Sequence, residues 1–208
     1  MSARPAMSAR PATRVDATRR RRLVAAGDLA VVAGQLGRRP HPMSRVVRRC
    51  PFGYPAVVET LPADDAGRPF PTLFYATCPT LAAAVGALES AGGVRRFERR
   101  TRADEELARS VAAATRQVRR RRRDLAAAYG LAAVDDGASL RAGIAGVADP
   151  HRLKCLHAHA AHALAHPGYL LGMSVLAEAG QLWCDDRRCA VWADEASARR
   201  HTSGRQAP

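Results

Sequence analysis

Proline is so frequent between residues 50 and 79 that a helix of ordinary length is excluded there. Prolines occupy positions 51, 55, 62, 69, 71 and 79, and each removes a backbone donor and disfavours helix at the preceding residue. Residues 56–61 and 72–77 are the β-prone intervals, and the turn-forming residues Asp64, Asp65 and Gly67 lie between them. This stretch therefore predicts a short β-hairpin.

The remainder of the chain is typical of helices. Apolar residues make up 47% of the sequence but aromatic residues only 5%, so alanine and leucine must supply most of the core. Apolar periodicity, caps and stop signals predict helices over residues 16–37, 80–91, 104–129, 153–165 and 173–181. The predicted fold class is α+β, predominantly helical, with a short hairpin on the N-terminal side packed against a helical bundle.

Composition divides the 208 residues into four regions. Residues 1–15 begin with an exact tandem copy of the hexapeptide MSARPA and are predicted to be a disordered, duplicated start. Residues 16–49 are predicted to form a basic helix and linker, and residues 50–192 a single globular domain. The polar residues 193–208 are predicted to be a disordered tail.

The formal net charge is +14, and most of the excess lies before residue 50. Such a basic arm suits a polyanion, either nucleic acid or an acidic protein partner. A solvated helix face is the alternative interpretation of the arginine run in the 104–129 helix. The candidate polyanion contacts are Arg19, Arg20, Arg21, Arg22, Arg119, Arg120, Arg121, Arg122 and Arg123.

The sequence favours a cytoplasmic protein. No apolar run is long enough to cross a bilayer. The arginines at 19–22 precede an apolar segment, as in a signal peptide, but Asp28 interrupts that segment and no cleavage site follows. The five cysteines cannot all pair internally, which favours free thiols or metal ligands in a reducing compartment.

Three cysteines occur in settings that suit metal ligation. Cys50 and Cys78 each precede a proline, and pairing of the two strands would bring them to the same end of the hairpin. Cys155 lies beside a histidine-rich helix that could cover that end. Three thiolates with one imidazole, from His157, His162 or alternatively His159, would bind zinc or hold an iron–sulfur cluster.

The sequence does not decide which histidine would be the metal ligand, or whether these residues bind a metal at all. In a helix, Cys155, His159, His162 and His166 would share one face, with His157 pointing elsewhere. Buried structural thiols with hydrogen-bonded histidines are one alternative. A thiol enzyme with Cys155 as nucleophile near His157 or His162 is another. The cysteines at 184 and 189 could form half a site, a disulfide or free thiols.

Several ordered motifs resemble a bacterial domain-of-unknown-function family, number 501. They are RCPFGYPAVVET at 49–60, PFPTLFY at 69–75, TCP at 77–79, GG at 92–93, KCLH at 154–157 and AH at 161–162. The family's loop after the histidine helix is Asn-Pro-x-Gly, whereas this chain has Tyr169-Leu-Leu-Gly172. The resemblance implies a small cytosolic bacterial protein without an established activity. Members of the family are often encoded near a septum-formation initiator and an exopolyphosphatase-like enzyme. It emphasises Cys50, Cys78, Cys155, His157 and His162.

Overall fold

The computed structural model describes residues 24–64, 66–131, 137–149 and 151–203, with only the backbone described for 197–203. Three strands and eight α-helices lie within these ranges. The strands are β1 (Met43–Arg49), β2 (Pro55–Thr60) and β3 (Phe74–Ala76). The helices are α1 (Ala26–Leu36), α2 (Pro79–Ser90), α3 (Gly93–Ala103), α4 (Glu105–Ala128), α5 (Ala138–Arg141), α6 (Leu156–Ala165), α7 (Leu170–Ala179) and α8 (Ala190–Ser203). The α+β, predominantly helical prediction is confirmed.

The strands form one antiparallel sheet in the order β1-β2-β3. β2 and β3 are the predicted hairpin, with Val57 opposite Ala76 and Val58 opposite Tyr75. Every residue of the central strand β2 is buried. β1 lies within the segment predicted to be a basic linker, and its arginines project from an edge strand, where charged side chains are well tolerated.

Helix α6 is the centre of the helical layer, and it contacts α2, α7 and the sheet. Leu81 and Val85 of α2, Leu156 of α6, and Leu171 and Val175 of α7 are all fully inaccessible to solvent. These aliphatic side chains form one continuous core with Ala56 and Val57 of β2. The helix that carries the histidines is therefore held on several sides.

The crossing of α6 and α7 depends on Gly172. A Cβ atom at this position would overlap the backbone oxygen of His159 in the opposite helix, and it would also lie too close to Ala163. The absence of a side chain lets the two helices approach.

The C-terminal segment differs from its prediction. Residues 190–203 form helix α8, where the sequence predicted a disordered tail from residue 193. Trp192 lies directly against Gly34 of α1, at a place where a Cβ atom would overlap the indole ring. The predicted disordered start and residues 204–208 lie outside the described residues. Within the described part of the chain, no helix has the length and apolar character needed to span a membrane.

Candidate metal centre

Glu89, Cys155 and His157 converge at the junction of α2 and α6. A carboxylate oxygen, a thiol sulfur and an imidazole nitrogen lie within 4.8 Å of one another. Among the described residues, no other group of three or more potential metal ligands is so compact. The three residues are hereafter called the Glu89 cluster.

Cys155 is the N-cap of α6 and not a member of the helix. Its backbone is extended, with φ −157° and ψ 126°, and the helix begins at Leu156. The predicted single face of Cys155, His159, His162 and His166 required all four residues to be helical. Because the backbone of Cys155 is extended, Cys155 does not share that face. Cys155 instead faces His157 in the first turn.

Glu89 caps the start of α6 from the end of α2. Its Oε1 atom accepts hydrogen bonds from the backbone N–H groups of Leu156 and His157. These N–H groups have no partner inside the helix, and the positive end of the helix dipole favours a carboxylate there. The same oxygen is 3.1 Å from Nδ1 of His157. The carboxylate is thus fixed beside both other members of the cluster.

A hydrogen bond on the side away from the cluster fixes the orientation of the His157 ring. Its Nε2 atom is 2.9 Å from the backbone oxygen of Ala82. A carbonyl can only accept, so Nε2 carries the hydrogen and Nδ1 is the nitrogen that faces the cluster. Metal-bound histidines are held in this way, with the second ring nitrogen donating to a carbonyl or carboxylate.

The surroundings of His157 favour positive charge. The hydrogen bond with Cys155 is the main reason that the pKa of His157 is raised to about 9, against the opposing effect of burial, with the Ala82 carbonyl and Glu89 adding to the increase. These neighbours create a negative potential at the imidazole. Either a proton or a metal cation can satisfy that potential.

The donor set suits a borderline-soft transition metal. Thiolate, imidazole and carboxylate are the three protein ligand types of zinc, and three ligands leave a fourth position for water or substrate. The Glu89 and His157 side chains retain 25% and 30% of their exposure, and Cys155 is half-buried. The cluster is thus accessible from solution.

A protein-family model matches the part of the chain that contains the Glu89 cluster. The family model described as a protein of unknown function, DUF501, matches residues 46–176. The chain belongs to this family. All three members of the Glu89 cluster lie within the DUF501 segment, whereas Cys184 and Cys189 follow it. No curated protein and no solved structure has detectable similarity to the chain.

The two Cys-Pro cysteines of the DUF501 segment lie at the same end of the sheet, as predicted. Cys50 follows β1 and Cys78 follows β3, and the backbone N–H of Cys78 is 3.4 Å from the oxygen of Ala56 in β2. They do not join Cys155 in one compact group, since Glu89 and His157 are its companions among the described residues. The three predicted thiol ligands are therefore divided between two places.

The other two candidate histidines of the DUF501 segment are buried in the core. Nδ1 of His159 is 2.6 Å from the hydroxyl of Tyr169. The ring of His162 packs edge-on against Phe74 and Tyr169, and neither of its nitrogens has a hydrogen-bond partner among the described residues. Both side chains are at most 2% exposed.

Sequence reasoning missed Glu89, although the DUF501 segment contained a signal. It is the only acidic residue of α2, and it lies near the C-terminal end of that helix. A carboxylate is unfavourable at that end because it meets the negative end of the dipole. The backbone N–H groups at the start of α6 donate to Glu89 and stabilise the carboxylate at this position.

The arginine run of the DUF501 segment is largely engaged within the protein. Arg119 donates to the oxygen of Ala148, and Arg121 pairs with Glu59. Arg122 is buried and donates to the oxygens of Ser139 and Phe70. Arg120 and Arg123 are exposed. The candidate contacts at 19–22 lie outside the described residues, and polyanion binding stays a prediction.

Proposed function

We propose that this protein binds a transition-metal ion, with zinc the first choice, through Cys155, His157 and Glu89. The convergence of their three donor atoms within 4.8 Å carries the proposal. One thiolate is a poor set for an iron–sulfur cluster, which is usually held by several cysteines. A mixed sulfur, nitrogen and oxygen set is typical of zinc.

The surrounding contacts support a metal site with an open position. The Ala82 carbonyl leaves Nδ1 of His157 available, and the α6 N–H groups hold the Glu89 carboxylate in place. Three protein ligands with an open fourth position are typical of zinc sites that bind water or substrate. A bound zinc ion would lower the pKa of such a water and polarise a carbonyl or phosphoryl group.

Metal analysis of the full chain tests the proposal. The protein is purified anaerobically, loaded with zinc and passed through a desalting column, and the zinc per chain is measured in wild type, Cys155→Ser and Glu89→Gln. The glutamine can still accept the α6 N–H hydrogen bonds, so it removes mainly the charge. Each variant is expected to weaken zinc binding at the Glu89 cluster by a factor of about 100 or more, and so to carry about one zinc ion fewer per chain than the wild type, since it removes a direct ligand.

Glu178→Gln is the matched control. Glu178 lies on α7 and pairs with Arg96 and Arg100, away from the cluster. It should bind zinc like the wild type. The proposal fails if Cys155→Ser and Glu89→Gln both retain the wild-type number of zinc ions per chain while remaining folded by circular dichroism.

A thiol enzyme is the second candidate, and the proximity of the Cys155 sulfur to the imidazole of His157 favours it. A thiol beside an imidazole that is in turn held by other groups has the arrangement of an activated nucleophile. Alkylation of the metal-free protein with iodoacetamide distinguishes the two. An enzyme thiol should react faster than the half-buried Cys184 and be unaffected by zinc, whereas a metal ligand should be protected by it.

The setting that we infer is the bacterial cytoplasm. All five cysteines are free, which suits a reducing compartment. Recovery of the tagged protein in the soluble fraction after cell lysis, with every thiol reactive toward a maleimide under denaturing conditions, supports this setting. Recovery with disulfides would contradict it.

A further inference from the structure

The four cysteines outside the Glu89 cluster gather around one end of the sheet. The turn after β1 begins at Cys50, whose N–H bonds to the oxygen of Tyr54, and Cys78 lies against the oxygen of Ala56. These two contacts place both thiol-bearing residues beside the first residues of β2. The other two cysteines reach the same place from the C-terminal segment.

Gln35 of α1 links Cys189 to this end of the sheet. Its Nε2 atom donates to the oxygen of Pro55 at 2.7 Å and to the sulfur of Cys189 at 3.4 Å. The guanidinium of Arg187 lies 6.0 Å from the ring centre of Phe52 in the turn. The loop between Cys184 and Cys189 therefore lies on the turn that contains Cys50.

The packing of α8 fixes this loop. α8 begins one residue after Cys189, and its Trp192 lies against the bare backbone of Gly34. Ala190 N–H bonds to the oxygen of Arg187, whose φ is +50°. This turn lies within the Cys-x4-Cys loop, and that spacing is within the range of zinc ligand pairs.

The thiols lie close enough to influence one another. Burial is the main reason that the pKa of Cys78 is raised; backbone N–H groups in the first turn of α2 oppose the increase, and the nearby Cys50 and Cys184 add to it. Burial likewise raises the pKa of Cys189, where the Gln35 amide opposes the increase and Cys78, Cys184 and Cys50 add to it.

We propose that Cys50, Cys78, Cys184 and Cys189 form a second metal site, a four-thiolate zinc site that ties the C-terminal segment to the end of the sheet. Zinc–sulfur bonds of about 2.3 Å place tetrahedral ligands about 3.8 Å apart. The thiols must therefore draw closer on binding, by rotation about their single side-chain torsion. A closed four-thiolate set is structural and leaves no position for substrate, unlike the Glu89 cluster.

Cobalt(II) titration of the anaerobic full chain tests this proposal separately from the first. The intensity of the sulfur-to-cobalt absorption rises with the number of thiolate ligands, so a four-thiolate site and a one-thiolate site are distinguishable. Cys155→Ser should retain the intense band and one equivalent of zinc. Cys78→Ser and Cys189→Ser should each lose the intense band and retain the equivalent at the Glu89 cluster.

Hydrogen exchange tests the same site without the Cys78→Ser and Cys189→Ser variants, in case those variants do not fold. In the Cys155→Ser protein, a chelator should increase exchange at least about tenfold in α8, because zinc there ties the segment down. The proposal is overturned if Cys155→Ser binds no zinc, or if chelator leaves exchange in α8 unchanged. A mass two hydrogens lower in freshly isolated protein would identify a disulfide and also overturn it. If Cys155→Ser loses an equivalent of zinc while Cys78→Ser and Cys189→Ser lose none, the four-thiolate site is overturned and the site at the Glu89 cluster stands.

Discussion

Glu59 of β2 is a fully buried carboxylate with three side-chain hydrogen-bond partners. Its side chain has no exposure, and it accepts hydrogen bonds from Arg121 of α4, Arg45 of β1 and the hydroxyl of Ser44. Burial alone would raise the pKa of Glu59, but the bonds from Arg121, Arg45 and Ser44 outweigh it and lower the pKa to about 2. This carboxylate therefore fastens the sheet to α4.

Glu59→Gln is expected to lower the free energy of unfolding by about 2 kcal/mol. The loss is moderate because both arginine partners are partly exposed and can return to water. Urea denaturation at pH 7 measures it. Glu98→Gln, which breaks exposed pairs with Arg102 and Arg152, is the control and should cost less than about 0.5 kcal/mol.

The same carboxylate gives a defined acid dependence. The folded pKa of Glu59 is depressed from 4.5 to about 2, so its contribution is fully present above pH 4.5 and is lost as pH falls toward 2. The stability difference between wild type and Glu59→Gln should shrink over that interval. A difference that is constant from pH 6 to pH 3 would contradict the role assigned to this carboxylate.

His162 should govern stability at milder acidity. Burial is the main reason that the pKa of His162 is lowered to about 3, and the neighbouring His166 and His159 add to it. The unfolded chain takes up this proton near pH 6.5, so stability falls as pH decreases from 6.5 toward 3. His162→Phe should flatten this slope in urea titrations, and it breaks no hydrogen bond to the described residues. An unchanged slope would contradict the assignment.

At the residue scale, the sequence predicted individual candidate ligands better than it predicted which of them lie together. The motif KCLH placed His157 beside Cys155, and the structure has these two in contact. Helical spacing favoured His159 because it assumed that Cys155 belonged to the helix. The cap geometry at Cys155 depends on Glu89, which is distant in sequence, and local periodicity contains no information about it.

Among the elements, α6 and α7 pack closely against each other at a glycine, Gly172. Gly172→Ala would place a methyl group against the backbone of His159 and should lower the free energy of unfolding by about 1–3 kcal/mol. Gly86→Ala in α2 is the matched control. A Cβ atom there would have no neighbour nearer than 3.9 Å, and alanine should stabilise the helix by up to about 1 kcal/mol.

Thermal denaturation of both variants measures the difference. Gly172→Ala should melt several degrees below the wild type, and Gly86→Ala at or above it. Equal effects would show that the crossing at Gly172 is not tightly packed. The prediction concerns stability alone, since Gly172 lies outside the Glu89 cluster.

Two of the elements that the sequence missed, β1 and α3, share a physical cause. Both are rich in arginine, and charged side chains hide the apolar pattern that identifies a strand or helix. Phe97, packed under the guanidinium groups of Arg96 and Arg100, is the fully buried large side chain that fixes α3 on the core. The hairpin and α2, bounded by prolines, and α4, capped by Asp104, were predictable because their signals are local.

At the scale of the whole molecule, the C-terminal segment closes the structure onto α1 and the sheet. Gly34→Val is expected to displace Trp192 and release α8. Limited proteolysis should then cleave between residues 184 and 203 at least tenfold faster than in the wild type. Ala26→Val, an exposed position on the same helix, controls for the β-branched side chain and should be cleaved at the wild-type rate.

The gathering of the thiols could not be read from the sequence. The notion of a site formed by Cys50, Cys78 and Cys155 followed from the hairpin, but the positions of α6 and α8 depend on long-range packing through Leu156 and Trp192. The fold places Cys155 with Glu89 and His157, and it places the C-terminal cysteines beside Cys50 and Cys78. Both metal proposals depend on this division of the thiols.

The most direct measurement of the central claim is anomalous X-ray diffraction from crystals of the zinc-loaded protein, recorded on both sides of the zinc absorption edge. The proposed function predicts an anomalous peak bonded to the sulfur of Cys155, Nδ1 of His157 and a carboxylate oxygen of Glu89, at about 2.0–2.3 Å from each. Zinc-loaded crystals with no peak at these three residues, or with a zinc ion there that does not contact Cys155, would contradict it.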